Sequence, residues 1–183
     1  MRSKNIIIIA LLAGVLIACK KQTQDTLPPA PTPKITIDGF TETDKKGNLN
    51  GTVDHTDWTK DAVWSIDETK LFAFADTANL SGTDTCAVQV FPAFPNAVQI
   101  DSSITLNVTC TKKTVISLLL VDALLNKYTR ETNYAVSPGS IQSIVFKITN
   151  GTYDSGKSYR IYYGFSATGN KLFYKGHGDF KVQ

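Results

Sequence analysis

The sequence is poor in the side chains that carry most chemistry: two His, three Cys, one Met, and Glu only at Glu42, Glu68 and Glu131. His55 and His177 are 122 positions apart and neither stands in a catalytic motif. No G-x-S-x-G, H-E-x-x-H, phosphate-loop or dinucleotide string occurs; Gly164-Phe165-Ser166-Ala167-Thr168 fails at its last position. Charge of one sign is lacking too. Nineteen basic and sixteen acidic residues form no patch or stripe, which argues against nucleic acid as a partner. No apolar run reaches the ~20 residues that cross a bilayer as a helix. A long repeat array, a rod and a multi-pass membrane protein are thereby excluded. What remains, 183 residues at 42% hydrophobic and 19% charged, is enough for one globular domain.

The first residues read as an address. Arg2 and Lys4 precede an apolar stretch, Ile6–Ile17, that as a helix reaches only about 18 Å, so it suits a signal segment better than a span. Leu16-Ile17-Ala18-Cys19 resembles the bacterial lipobox, which implies cleavage before Cys19 and acylation of that residue. Without residues 1–18 the chain keeps 17 basic and 16 acidic side chains and is close to neutral. Residues 19–33 hold the lipidated Cys19 and a Pro-rich stretch, KKQTQDTLPPAPTP, which favours an extended stalk over a core. Lys20 lacks the acidic character of an inner-membrane retention signal, so the expected location is the outer membrane, with the leaflet open.

From Lys34 to Gln183 the hydrophobic period is two. Ile104, Leu106, Val108 and Cys110 alternate with Thr105, Asn107 and Thr109. Tyr159, Ile161, Tyr163 and Phe165 alternate with Ser158, Arg160, Tyr162 and Gly164; Ile144, Phe146 and Ile148 alternate with Val145 and Lys147. Cys86, Val88 and Val90 share a face, as do Phe180 and Val182. Turn signals separate these runs, among them Asp44–Asn48, Asn50-Gly51, Leu80–Gly82, Pro138-Gly139, Asn150-Gly151, Ser155-Gly156 and Gly169-Asn170. Short strands at this spacing predict an all-β antiparallel sandwich. Val115–Leu125 is apolar on both faces and fits a helix of three turns, yet its β-branched start favours a strand, Thr114–Val121, turning at Asp122–Asn126.

With Cys19 assigned to lipid, Cys86 and Cys110 remain, each on the inward side of its own strand. In an oxidising compartment they are expected to form a disulfide, two free buried thiols being the alternative. Their spacing and the lack of a nearby His do not suit zinc. The densest polar stretch runs from Asp54 through Asp57, Trp58 and Asp61 to Glu68. Read as a calcium loop with Gly51 at the glycine position, it puts Lys46 where a carboxylate must stand, so that register is rejected. No metal and no cofactor are expected. Asp54–Glu68 could serve a hydrolase through paired carboxylates, or be an inter-strand loop rich in turn formers. Trp64, in the strand-like Ala62–Ile66, is expected in the core. Trp58 is open: with Asp57 and Tyr162 it could form a platform on which sugar rings stack, or it could fill the core. Asp25-Thr26-Leu27 and Asp76-Thr77-Ala78 resemble a short bacterial O-glycosylation signal.

Lipobox, Pro-rich stalk and Thr-rich β domain together resemble small bacterial outer-membrane lipoproteins with an immunoglobulin-like sandwich. Such a fold does not fix function; the first expectation is a non-catalytic module, tethered to the membrane by its lipid, that binds a glycan or an envelope protein. A structural scaffold that pairs through an exposed sheet edge is the second expectation, and a hydrolase the third.

Overall fold

The computed structural model describes residues 30–72, 86–167 and 171–183, of which Pro31–Gln183 form one compact unit. The signal segment, Cys19, both glycosylation-like strings and the turns at 80–82 and 169–170 lie outside the described residues.

Among the described residues, seven strands and one helical turn follow in order: α1 (Ile66–Thr69), β1 (Val88–Val90), β2 (Ser102–Cys110), β3 (Thr114–Val121), β4 (Thr132–Val136), β5 (Gln142–Ile148), β6 (Ser158–Ala167) and β7 (Lys171–Lys181). They form two antiparallel sheets, ordered β1-β2-β5 and β4-β3-β6-β7. Lettered in chain order as A, B, C, C′, E, F and G, the sheets read A-B-E and C′-C-F-G, an immunoglobulin-like division of an all-β sandwich. The E–F corner carries the matching lock. Tyr159, at the start of β6, accepts a hydrogen bond at its hydroxyl from the Asp154 N–H, five residues upstream, at 2.8 Å.

The period-two pattern explains the core. Ile104, Leu106 and Val108 of β2 and Ile144, Phe146 and Ile148 of β5 face Ile116, Leu118 and Leu120 of β3 and Ile161, Tyr163 and Phe165 of β6. Cys86 and Cys110 form the expected disulfide, tying the run into β1 to the end of β2. Thr114–Val121 is the expected strand. The chain turns where Asp122 accepts from the Leu124 and Asn126 N–H groups, each at 2.9 Å.

Two expectations fail, for related reasons. The second face of β6 is not exposed: Arg160 and Tyr162 are buried along with their neighbours. Alternation reports exposure only when one face meets water, and here the chain N-terminal to the strands covers the outer face. Trp64, Leu71 and Phe72 pack there on Leu119, Val121 and Tyr162, with Ile35 and Leu125 alongside. This second cluster is why Val115–Leu125 is apolar on both sides. Ala62–Ile66 is not a strand either. Ser65 accepts from the Glu68 N–H at 3.2 Å while Glu68 accepts from the Ser65 N–H at 2.7 Å. That capping box starts α1 at Ile66. Trp64 is buried, but in this outer cluster rather than in the core between the sheets.

Candidate functional site

The polar stretch singled out in the sequence lies along the outer edge of β7. The Trp58 N–H donates to the His177 carbonyl at 2.8 Å, and the Asp61 N–H to the Lys175 carbonyl at 2.9 Å. Two residues further along β7, at Asp179, the Asp57 carboxylate acts as a strand surrogate. Its Oδ1 accepts from the Asp179 N–H and its Oδ2 from the Thr41 N–H, both at 2.9 Å. The edge strand thus has outward backbone groups of Lys175, His177 and Asp179 taken up by its own chain, the usual remedy for an open edge.

Glycines let the loop come close. A Cβ at Gly178 would lie 2.4 Å from the Trp58 indole, and one at Gly176 would lie 2.1 Å from the Thr59 carbonyl oxygen. Glycine inside a strand marks such an approach, so Gly176-His177-Gly178 was the signal in the sequence that the loop docks here. Trp58 adopts φ 59°, turns into the main core and is buried.

Around this seam sits a row of charges. Arg160 grips Asp179 with both arms, Nε to Oδ1 and Nη2 to Oδ2 at 2.7 Å each, and donates from Nη2 to the Thr36 carbonyl at 3.0 Å. Nδ1 of His177 lies 2.8 Å from Oδ2 of Asp61, which also accepts from the Trp64 indole N–H at 2.7 Å. The Tyr162 hydroxyl donates to Oε1 of Glu68 at 2.5 Å. Nζ of Lys175 sits 5.1 Å from the Trp64 ring centroid. Burial, with Asp179 adding repulsion, pushes the Asp57 carboxyl up to about 7 against the pull of its two N–H donors. Burial also raises Asp179, against the attraction of Arg160. Burial pushes Glu68 up, but its bonds from Tyr162 and Ser65 outweigh that and hold it below its ordinary range.

Donor atoms of Asp57, His177 and Asp179 come within 4.8 Å of one another, a spacing that invites a cation. The donors do not fit one. Both Asp57 oxygens hold backbone N–H groups, and both Asp179 oxygens hold the Arg160 guanidinium, which already supplies the positive charge they pair with. The buried Trp58 indole N–H has no acceptor among the described residues, but as a donor it offers a cation nothing.

The sugar platform is corrected on the same grounds. Trp58 is 6%, Asp57 4% and Tyr162 0% exposed, and they belong to different layers: Trp58 to the main core, Tyr162 to the outer cluster. No flat aromatic face is offered to solvent by these three. The paired-carboxylate idea fares similarly. Asp54 binds Thr56, Asp57 the β7 edge, Asp61 the His177 and Trp64 rings, and Glu68 its helix cap and Tyr162. Elsewhere, clefts of about 280, 440 and 270 Å³ adjoin at the β5–β6 turn and share Ser158. Asp122, lining the last, spends its carboxylate on its own turn.

No protein-family model and no curated protein matches the chain. The arrangement itself is a latch: its charges close the β7 edge and hold the N-terminal cover in place.

Proposed function

We propose that the protein is a non-catalytic interaction module, held at the cell envelope by lipid on Cys19, whose ligand is another protein engaged through the three-stranded sheet. One asymmetry carries the reading. Of the two Trp and seven Tyr, none is exposed, whereas Ile141 and Val145 at the free side of β5 are 62% and 57% exposed. Binding sugar by stacking requires accessible rings; pairing with a protein requires an open edge and apolar side chains beside it. The Asp54–Glu68 loop spends Asp57, Asp61 and Glu68 on holding the cover, which supports binding over catalysis. The lipobox Leu16-Ile17-Ala18-Cys19 and the Pro-rich run behind it support the tether, since two or three acyl chains anchor where one does not.

Two measurements test this. Full-length protein made in a bacterium fed a clickable fatty acid is expected to take up label that Cys19→Ser abolishes. A photocrosslinker at Val145 is expected to give a discrete protein adduct in intact envelopes, while the same group at Leu49, 58% exposed elsewhere on the surface, gives none. Saturable quenching of tryptophan fluorescence by a polysaccharide, with no adduct at Val145, would overturn the reading.

A further inference from the structure

The unguarded edge of β5 has a geometry that selects its partner. β2 and β5 pair with Ser102 opposite Ile148 and Val108 opposite Gln142. On the other side of β2, Thr105 exchanges both backbone bonds with Phe94, and Asn107 accepts from Phe91. Backbone groups of successive residues point to opposite sides of a strand. Odd-numbered residues of β2 therefore point toward β1, and even-numbered ones toward β5. Across the register, Gln142, Ile144, Phe146 and Ile148 turn their N–H and C=O groups to β2. Ser143, Val145 and Lys147 turn theirs outward. No strand covers that side among the described residues.

We propose that this edge is occupied by β5 of a second copy, antiparallel about a two-fold axis at Val145; the inference rests on the interaction reading above and names its partner. Three observations converge on self-pairing. First, with Val145 opposite its symmetry mate, Ser143 falls opposite Lys147 of the other copy. All three outward-facing residues of each strand are then paired, using up each strand's outward N–H and C=O groups. Second, the register carries no conflict. Lys147 meets Ser143 rather than another lysine, Val145 meets Val145, and on the inner face Ile144 meets Phe146, so that the two cores run on into one another. Shifting the axis to Lys147 would set like charges opposite, and shifting it to Ile144 would set Lys147 against Ile141, outside the strand. Third, residues 34–183 carry fifteen basic and fifteen acidic side chains, so two copies approach without net repulsion. The Gln142 side-chain amide, which now rests on the Ser143 carbonyl at 3.2 Å, gives way to the Lys147 N–H of the second copy.

A seven-residue edge buries less than the ~1,200 Å² of an ordinary stable complex, so the pairing is weak in dilute solution. Tethering both copies to one membrane raises their effective concentration.

The register gives the test. Full-length Ser143→Cys and Lys147→Cys chains are mixed on phosphatidylcholine vesicles, and in parallel at high concentration in detergent, and oxidised. The mixed disulfide is expected several-fold in excess of either homodimer, because only Ser143 and Lys147 are directly opposed. Adding Val145→Pro to both chains is expected to abolish it. The Val145 N–H points away from β2, so the fold, checked by circular dichroism, survives; Val145→Asp, which opposes two carboxylates across the axis, is expected to do the same without touching the backbone. Equal yields from all pairings, or a mixed disulfide that persists in both Val145 variants, would overturn self-pairing. So would its absence in both vesicles and detergent. If the envelope adduct at Val145 then still forms to a different protein, the interaction reading stands and only the identity of the partner is wrong. Loss of the disulfide on vesicles alone, with detergent yields intact, would instead indict the tether.

Discussion

The two sheets of the sandwich treat their outer faces in opposite ways. On β4-β3-β6-β7 the chain preceding the strands lies over Leu119, Val121 and Tyr162 and seals the β7 edge with Asp57, Trp58 and Asp61. On β1-β2-β5 the outer face is Ser, Thr, Asn and Lys, and Val145 stands open on the edge strand. The same alternating pattern thus has two meanings. In β2 and β5 the polar partner of each apolar residue is a solvent face; in β6 and β7 it is a buried seam of ions and rings. The difference teaches where each sheet is vulnerable. Changes on the covered sheet disturb a lock, and changes on the bare one disturb only the contact it makes with others.

The sharpest way to break the comparison is Asp179→Ala. It strands Arg160 in the interior, and loss of one partner of a buried pair costs about 3–5 kcal/mol; urea unfolding monitored by tryptophan fluorescence should show it. Gly178→Ala comes next. Its new methyl meets the Trp58 indole, and overpacking of this kind costs about 1–3 kcal/mol, with a change in fluorescence before unfolding begins. The third effect is of pH. Asp57 is raised to about 7 when folded and Asp179 is raised too, so between the ordinary carboxylate range and pH 7 the folded chain holds protons that the unfolded chain has released. Stability should therefore fall as pH rises through that window, by at most ~1.4 kcal/mol per pH unit for each proton involved. Chemical unfolding at pH 5, 6 and 7 checks the sign; rising stability over that range would mean that the hydrogen bonds to Asp57 dominate its burial. Smallest is Lys147→Ala on the bare sheet, expected to move the midpoint by less than about 0.5 kcal/mol.

Legibility in the sequence followed the same line. Wherever a strand borders water on one side, as Ile104–Cys110 does, residue alternation alone located it and its inner face. The disulfide was legible because Cys86 and Cys110 share the inward parity of their strands. The seam was not, because it depends on residues more than a hundred positions apart, such as Asp57 with Asp179 and Arg160 with Thr36. Two local signs of it were present. Ser65-Ile66-Asp67-Glu68 is a capping box at the end of the strand-like Ala62–Ile66, and Gly176-His177-Gly178 places two glycines in a strand that had no need of them. Trp58 shows the limit: its neighbours in sequence are polar, and only the bare backbone of Gly178 makes a place for it in the core.

The cover also sets an order of events. It is the part of the folded domain made first, yet every group it fastens to on β6 and β7 belongs to the part made last: Asp57 is separated from Asp179 by 122 residues and Arg160 from Thr36 by 124. Contacts closing loops of that length form late and slowly. A chain still being synthesised can have drawn β2, β3 and β5 together while the cover still lacks its partners Arg160, His177 and Asp179. The lock on the covered sheet is therefore completed only when the final strand arrives to receive it.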